Sequence, residues 1–209
     1  MIIVKNLNDS ENWVVYHNKL GNTDGLYLNT TDSTVGTNTF WNNTTPTTTL
    51  FTLGTHDRVN NVNIPYIAYC FAEKQGYSKF GSYIANNSND GPFVYTGFAP
   101  KFIMIKGSNN GGEYKSWCMF DTTRQPFNLN VGKTLYANRD YQEGKRGQGT
   151  SSTTIPGIDI LSNGFKLRMG NDEINTQTDS YIYAAFAEQP LVANSCLLYT
   201  SDAADEVVS

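Results

Sequence analysis

Residues 181–188 read Tyr-Ile-Tyr-Ala-Ala-Phe-Ala-Glu, and residues 66–73 read Tyr-Ile-Ala-Tyr-Cys-Phe-Ala-Glu. The two runs agree at Tyr66/Tyr181, Ile67/Ile182, Phe71/Phe186, Ala72/Ala187 and Glu73/Glu188. Both are short, rich in aromatic and β-branched residues, and bounded by polar residues, Gly or Pro. That pattern predicts a strand buried on both faces rather than a helical turn.

The likeness extends outward from this pair. Trp13-Val14-Val15-Tyr16 matches Trp117-Cys118-Met119-Phe120, Leu26-Tyr27-Leu28-Asn29 matches Leu135-Tyr136-Ala137-Asn138, and Ile2-Ile3-Val4-Lys5 matches Ile103-Met104-Ile105-Lys106. The spacing between matched blocks only grows along the chain. Such drift is expected of one set of strands written twice, with the extra residues of the second copy in its loops. The expected division is a first copy at 1–73 that lacks its opening strands, a second at 74–195 packed with the first, and a segment 196–209 (CLLYTSDAADEVVS) that reads as a translated sequencing-library adapter. That segment is set aside from fold reasoning, and it marks the sequence as a metagenomic fragment.

Composition narrows the class. A hydrophobic content of 39% with 13% aromatic residues suffices for a core, whereas 16% charged residues is low for a soluble domain. Asn, Thr, Ser and Gly carry the polarity, as suits many short strands joined by turns. The formal charge of −4 comes with no basic stripe, which argues against a nucleic-acid partner. No apolar run approaches a membrane span. No window holds a 3.6-residue period with caps, so the expected fold is all-β, an antiparallel β-sandwich or jelly roll. Strands are expected at 1–5, 13–17, 26–29, 50–53, 66–73, 80–84, 93–98, 102–106, 117–121, 135–138, 158–161 and 165–169. The last two flank Ser162-Asn163-Gly164, where Asn-Gly signals a hairpin.

Motifs for chemistry are sparse. His17 and His56 have no partners at metal-ligand spacing, and His17 aligns with Asp121, as for a solvated strand end. Cys70 aligns with Ala185 and Cys118 with Val14, so both read as small buried hydrophobes, with a disulfide between them as the alternative. No G-x-S-x-G elbow or phosphate-binding Gly-rich loop occurs. Asp172 and Glu173 are adjacent and would point to opposite faces of a strand, unlike the facing carboxylates of a glycosidase. Glu73 and Glu188 recur in both copies, which favours a structural role such as accepting backbone N–H groups. Two loops carry candidate ligand groups. Trp41, Asn42 and Asn43 place an indole beside amides, which suits a sugar; equally, Trp41 caps the core. Asn86, Asn89 and Asp90 supply oxygens suited to Ca²⁺; equally, they form a plain turn. No other cofactor is implied.

The stretches FGSYIANNSNDGPFVYTGFAPKFIMIKG (80–107), ILSNGFKLR (160–168) and YIYAAFAEQP (181–190) resemble an uncharacterised domain of marine tailed-phage structural proteins. NWVVYHNKLGN and YIAYCFAEKQGYSKFGSY in the earlier half resemble it too. That domain is described as similar to concanavalin-like or laminin-G-like sandwiches. The resemblance implies a non-enzymatic virion module of tail fibre, tail tip or capsid surface, assembled in the host cytoplasm. The expected partners are other virion proteins and, given the repeat and the Asn/Thr-rich surface as well as the resemblance, host-surface glycans; in the assembly reading the sheet edges join copies into a homo-trimer. The resemblance transfers no site residues. The rival expectations are a polysaccharide-cleaving enzyme on the same kind of fold and a pure assembly module.

Overall fold

A computed structural model describes residues 1–112, 115–124, 128, 133–144, 157–170, 173–176 and 178–190. Among these residues there is no helix, and every strand pairing is antiparallel. The strands in chain order are β1 (Ile2–Asn6), β2 (Val14–Tyr16), β3 (Asp24–Tyr27), β4 (Val35–Gly36), β5 (Tyr66–Cys70), β6 (Ser78–Ile84), β7 (Phe93–Tyr95), β8 (Phe102–Gly107), β9 (Cys118–Asp121), β10 (Leu135–Tyr136), β11 (Ile158–Leu161), β12 (Gly164–Leu167) and β13 (Ser180–Phe186). They form three open sheets in the orders β4-β3-β2-β1-β5, β10-β9-β8-β13-β6 and β11-β12-β7.

Strands that match in sequence hold matching places in the first two sheets. The register also agrees. Ile2 lies opposite Cys70 and Tyr16, and its counterpart Ile103 lies opposite Ala185 and Phe120. Val14 pairs with Tyr27 as Cys118 pairs with Tyr136. A side-chain cap recurs as well: Trp13 N–H donates to Asn29 Oδ1 (3.0 Å), and Trp117 N–H donates to Asn138 Oδ1 (2.9 Å).

Alternation along the strands builds the layers, because successive side chains leave opposite faces. Ile3, Val15 and Leu26 of the first sheet meet Trp117 and Ile182 of the second. The far face of the first sheet (Ile2, Val4, Val14, Tyr16) lies under Phe40, Trp41 and Val59. The far face of the second (Ile103, Ile105, Phe120, Tyr183) lies under Val94, Phe165 and Leu167 of the third. Polar ties fasten the halves where they meet. Lys106, fully buried, donates from Nζ to the carbonyls of Thr31, Asp32 and Lys115 at 3.2, 2.7 and 2.7 Å. Burial pushes this ammonium down to about 8, so it remains charged at neutral pH.

Several expectations need correcting. Residues 50–53 are not a strand; Phe51 and Leu53 lie against the first sheet's core as irregular backbone, and Leu50 is exposed. The strand expected over 93–98 stops at Tyr95, because the backbone turns through Gly97 at φ +86. The hairpin pairs Leu161 with Gly164, so its two turn residues are Ser162 and Asn163. Gly164 serves a close approach instead: a Cβ there would run into the carbonyl of Val94. Residues 191–195 of the expected second copy, and the whole of 196–209, lie outside the described residues.

His17 is not a solvated strand end. It is fully buried, its ring edge-on to Phe80 at 6.3 Å. Its Nδ1 accepts from Lys19 N–H (3.2 Å), so Nε2 carries the proton toward the carbonyl of Tyr183, 3.1 Å away. Burial lowers its pKa from 6.5 to about 4. Between those values the unfolded chain binds more protons than the folded one. His17's contribution is therefore complete above pH 6.5 and drains away as the pH falls towards 4, about 3 kcal/mol in all. Urea unfolding measured across this range should show the loss, and His17→Gln should flatten it; equal slopes for the two proteins would refute the assignment.

Candidate functional site

The strand at 66–70 was expected to be buried on both faces, and this is where the structure departs most from that expectation. Its counterpart β13 is buried and flanked by β8 and β6, but β5 ends its sheet. Tyr69, Cys70 and Phe71 are exposed. Cys70 is thus a thiol at an open edge rather than a buried hydrophobe, while Cys118 is buried, and the two form no disulfide.

Hydrogen-bond parity shows which groups are open. Met1 and Phe71 exchange both backbone bonds (2.9 and 3.0 Å), and Leu7 N–H donates to the carbonyl of Pro65 (3.0 Å). Odd-numbered residues of β5 therefore face β1, and Tyr66, Ala68 and Cys70 turn their N–H and C=O outward. No strand among the described residues pairs with that row.

Two apolar clefts flank the end of β5. On one face a cleft of about 310 Å³ lies between Ile2, Tyr16, Leu50, Phe51 and Cys70. On the other a wider one, about 550 Å³, lies between Phe71, Tyr77, Phe102 and Phe186, with Lys74 at its side. Phe186 organises the second, edge-on to Phe71 (5.9 Å), Tyr77 (6.3 Å) and Phe80 (5.7 Å). Among the described residues, neither cleft is lined by a carboxylate. Glu73 pairs with Lys79 (3.0 Å) and Glu188 with Lys101 (3.4 Å), so these recurrent carboxylates meet lysines, not the backbone N–H groups expected of them.

The residues singled out as ligand candidates do other work. Trp41 is fully buried, edge-on to Tyr16 (5.4 Å), and its Nε1–H donates to the carbonyl of Asp24 (3.0 Å). It caps the core and offers no ring face to a sugar. Asn42 and Asn43 are exposed, both at φ 51, the left-handed turn conformation that Asn tolerates. The loop at Asn86–Asp90 is a side-chain-bonded turn. Asn86 Oδ1 accepts from Ser88 N–H (3.0 Å), Asn89 Oδ1 from Gly170 N–H (3.3 Å), and Asp90 pairs with Lys166 Nζ (2.8 Å). The hydrogen bond and charge of Lys166 hold the Asp90 carboxyl below its ordinary range. A Ca²⁺ ion would have to displace that lysine. Neither cluster supplies a lining residue to the clefts beside β5, an edge that the sequence reading did not single out. Its signal was present: residues 66–72 hold no charge and no proline, the two usual guards of an edge strand.

Fold and site together define an all-β protein of open antiparallel sheets in which the edge of β5 lies between apolar clefts. The chain belongs to a family described as a domain of unknown function, DUF7483, whose match covers residues 1–190. No curated protein and no solved structure matches it.

Proposed function

We propose that this chain is a non-enzymatic assembly module of a virion surface, of the tail fibre, tail tip or capsid type. It joins neighbouring polypeptides through strand edges. In this reading it is two copies of one β-unit stacked as a concanavalin-like sandwich, a view supported by the shared strand order, register and Asn caps of the two halves. The observation that carries the assembly role is the open edge of β5 between two clefts without carboxylates. Such an edge is a template for pairing with another chain. The resemblance to tailed-phage structural domains supports the virion setting. Host-surface glycans would have to be met by residues other than Trp41, whose ring is enclosed.

Native mass spectrometry over a wide concentration range, with a reducing-end assay on bacterial surface polysaccharides, tests this role. Discrete oligomers without sugar release are expected. Release of sugar by the intact protein would overturn the reading.

A further inference from the structure

We propose that the outer face of the third sheet binds a neutral glycan chain, stacked on Phe93 and Tyr95 and hydrogen-bonded to the ion pairs beside them. This goes beyond the assembly reading and does not rest on it.

Register puts the groups on one face. Val94 of β7 and its partner Phe165 of β12 are buried in the core beneath the third sheet. Alternation turns Phe93 and Tyr95 the other way, with Lys166 and Gly164 opposite them and Asp159 opposite Lys166 on β11. Phe93 is 46% exposed and Tyr95 63%, and neither joins a buried cluster. Two large rings side by side on a solvated face mark a contact surface.

Glycines set the pose of the rings. The Phe93 ring leans across to the next strand, where a Cβ on Gly164 would stand 3.0 Å from its tip. The Tyr95 ring leans over Gly97, whose Cβ would stand 3.6 Å from the phenol oxygen. Each ring is thus backed by bare backbone and open to water on its other side. Two residues apart on one strand, about 7 Å, they form an aromatic strip. A sugar ring lays its C–H groups against such a strip, and its hydroxyls then need polar partners at the rim.

Those partners stand beside Phe93. Lys166 Nζ holds Asp90 Oδ1 (2.8 Å) and the carbonyl of Gly91 (2.9 Å), and Arg168 Nε holds Asp159. The side chains of Asp90 and Arg168 remain 85% and 38% exposed, so an acceptor and a donor both meet solvent. Charge selects the kind of chain. The cations and carboxylates cancel in pairs, on a protein of formal charge −4. A nucleic acid or an acidic glycan would meet no surplus of positive charge. An apolar peptide would strip water from both ion pairs without replacing it. A neutral polyhydroxyl chain satisfies rings and ion pairs together.

The test applies the full 209-residue chain to an array of bacterial surface glycans, neutral hexose and N-acetylhexosamine polymers beside acidic ones. Binding to at least one neutral polymer is expected, and calorimetry then measures its affinity. Phe93→Ala and Tyr95→Ala should each weaken it about tenfold or more, by the loss of one ring's buried area. Tyr95→Phe, which keeps the ring, should bind as the wild type does. Tyr95 touches no core cluster, so a loss of binding at an unchanged urea midpoint is a loss of the site even where Phe93→Ala does not fold. An array on which no glycan binds would overturn the inference. So would binding confined to acidic polymers, or binding that survives both ring truncations. NMR signals of Phe93 and Tyr95 that shift with protein concentration alone would also overturn it, since a second copy would then cover the face. Oligomers in native mass spectra from a protein that binds no glycan would sink this inference and leave the assembly role standing.

Discussion

Asp179→Ala should destabilise the protein by about 3–5 kcal/mol, the cost of leaving a buried charge without its partner. Lys115 and Asp179 are both buried, and Lys115 Nζ lies 2.6 Å from Asp179 Oδ2. The ammonium also donates to Thr176 Oγ1 (2.8 Å) and Tyr181 OH (3.0 Å), and Asn110 Nδ2 donates to the other Asp179 oxygen. Burial by itself would lower the Lys115 pKa. The bonds to Asp179 and Tyr181 outweigh it and hold the group above 10.5. A raised ammonium pKa gives stability that is complete below 10.5 and is lost as the pH rises through the folded value, so the pair is at full strength at neutral pH. Asp179→Asn keeps acceptor oxygen but not charge, and should fall between wild type and Asp179→Ala. Urea unfolding at pH 7 decides the matter: a loss under about 1 kcal/mol for Asp179→Ala would mean that water reaches the ammonium.

Trp117→Ala should cost about 4 kcal/mol, and Trp13→Ala only about 1, although the two tryptophans are counterparts in sequence. Trp117 is 2% exposed, packed among Ile3, Val15, Leu26 and Ile182 between the first two sheets. Its Nε1–H donates to the carbonyl of Tyr27 (2.8 Å), so one side chain from the second half completes the core and a backbone bond of the first. Truncation would open a cavity and leave that carbonyl with only the longer bond from Thr30 N–H (3.4 Å). Trp13 lies at the border of the same cluster, partly exposed, its ring stacked at 6.4 Å on Tyr69 of the open edge. Denaturant midpoints of the two variants provide the comparison. Equal losses would show that the tryptophans hold equivalent places in the packing.

The contrast between these residues marks how far sequence reading reached. Strand patterns at 2–6, 14–16, 66–70, 102–107 and 180–186 were legible, because alternation and β-branched content are local properties of a few residues. The third sheet was only half legible: its hairpin could be read around Ser162-Asn163-Gly164, but not its station over the second sheet. His17 was misread because its alignment with Asp121 says nothing of Phe80, which reaches it from a distant strand. Trp41 was left between two readings because an indole in a polar loop looks the same whether it faces water or, as here, Tyr16 and Phe40.

The amino-acid order alone determined that this protein is built of antiparallel strands and that two runs, 66–73 and 181–188, share one pattern. It could not say that one run would be enclosed and the other left at an edge. That difference lies in a second neighbour: β13 has β6 as well as β8 beside it, whereas among the described residues β5 pairs with β1 alone, and a strand's neighbours are fixed by contacts far apart in the chain. The tertiary structure also chose the covers, Phe40 and Trp41 over one sheet and Phe165 over another, because a sheet face is closed by whichever distant segment packs against it.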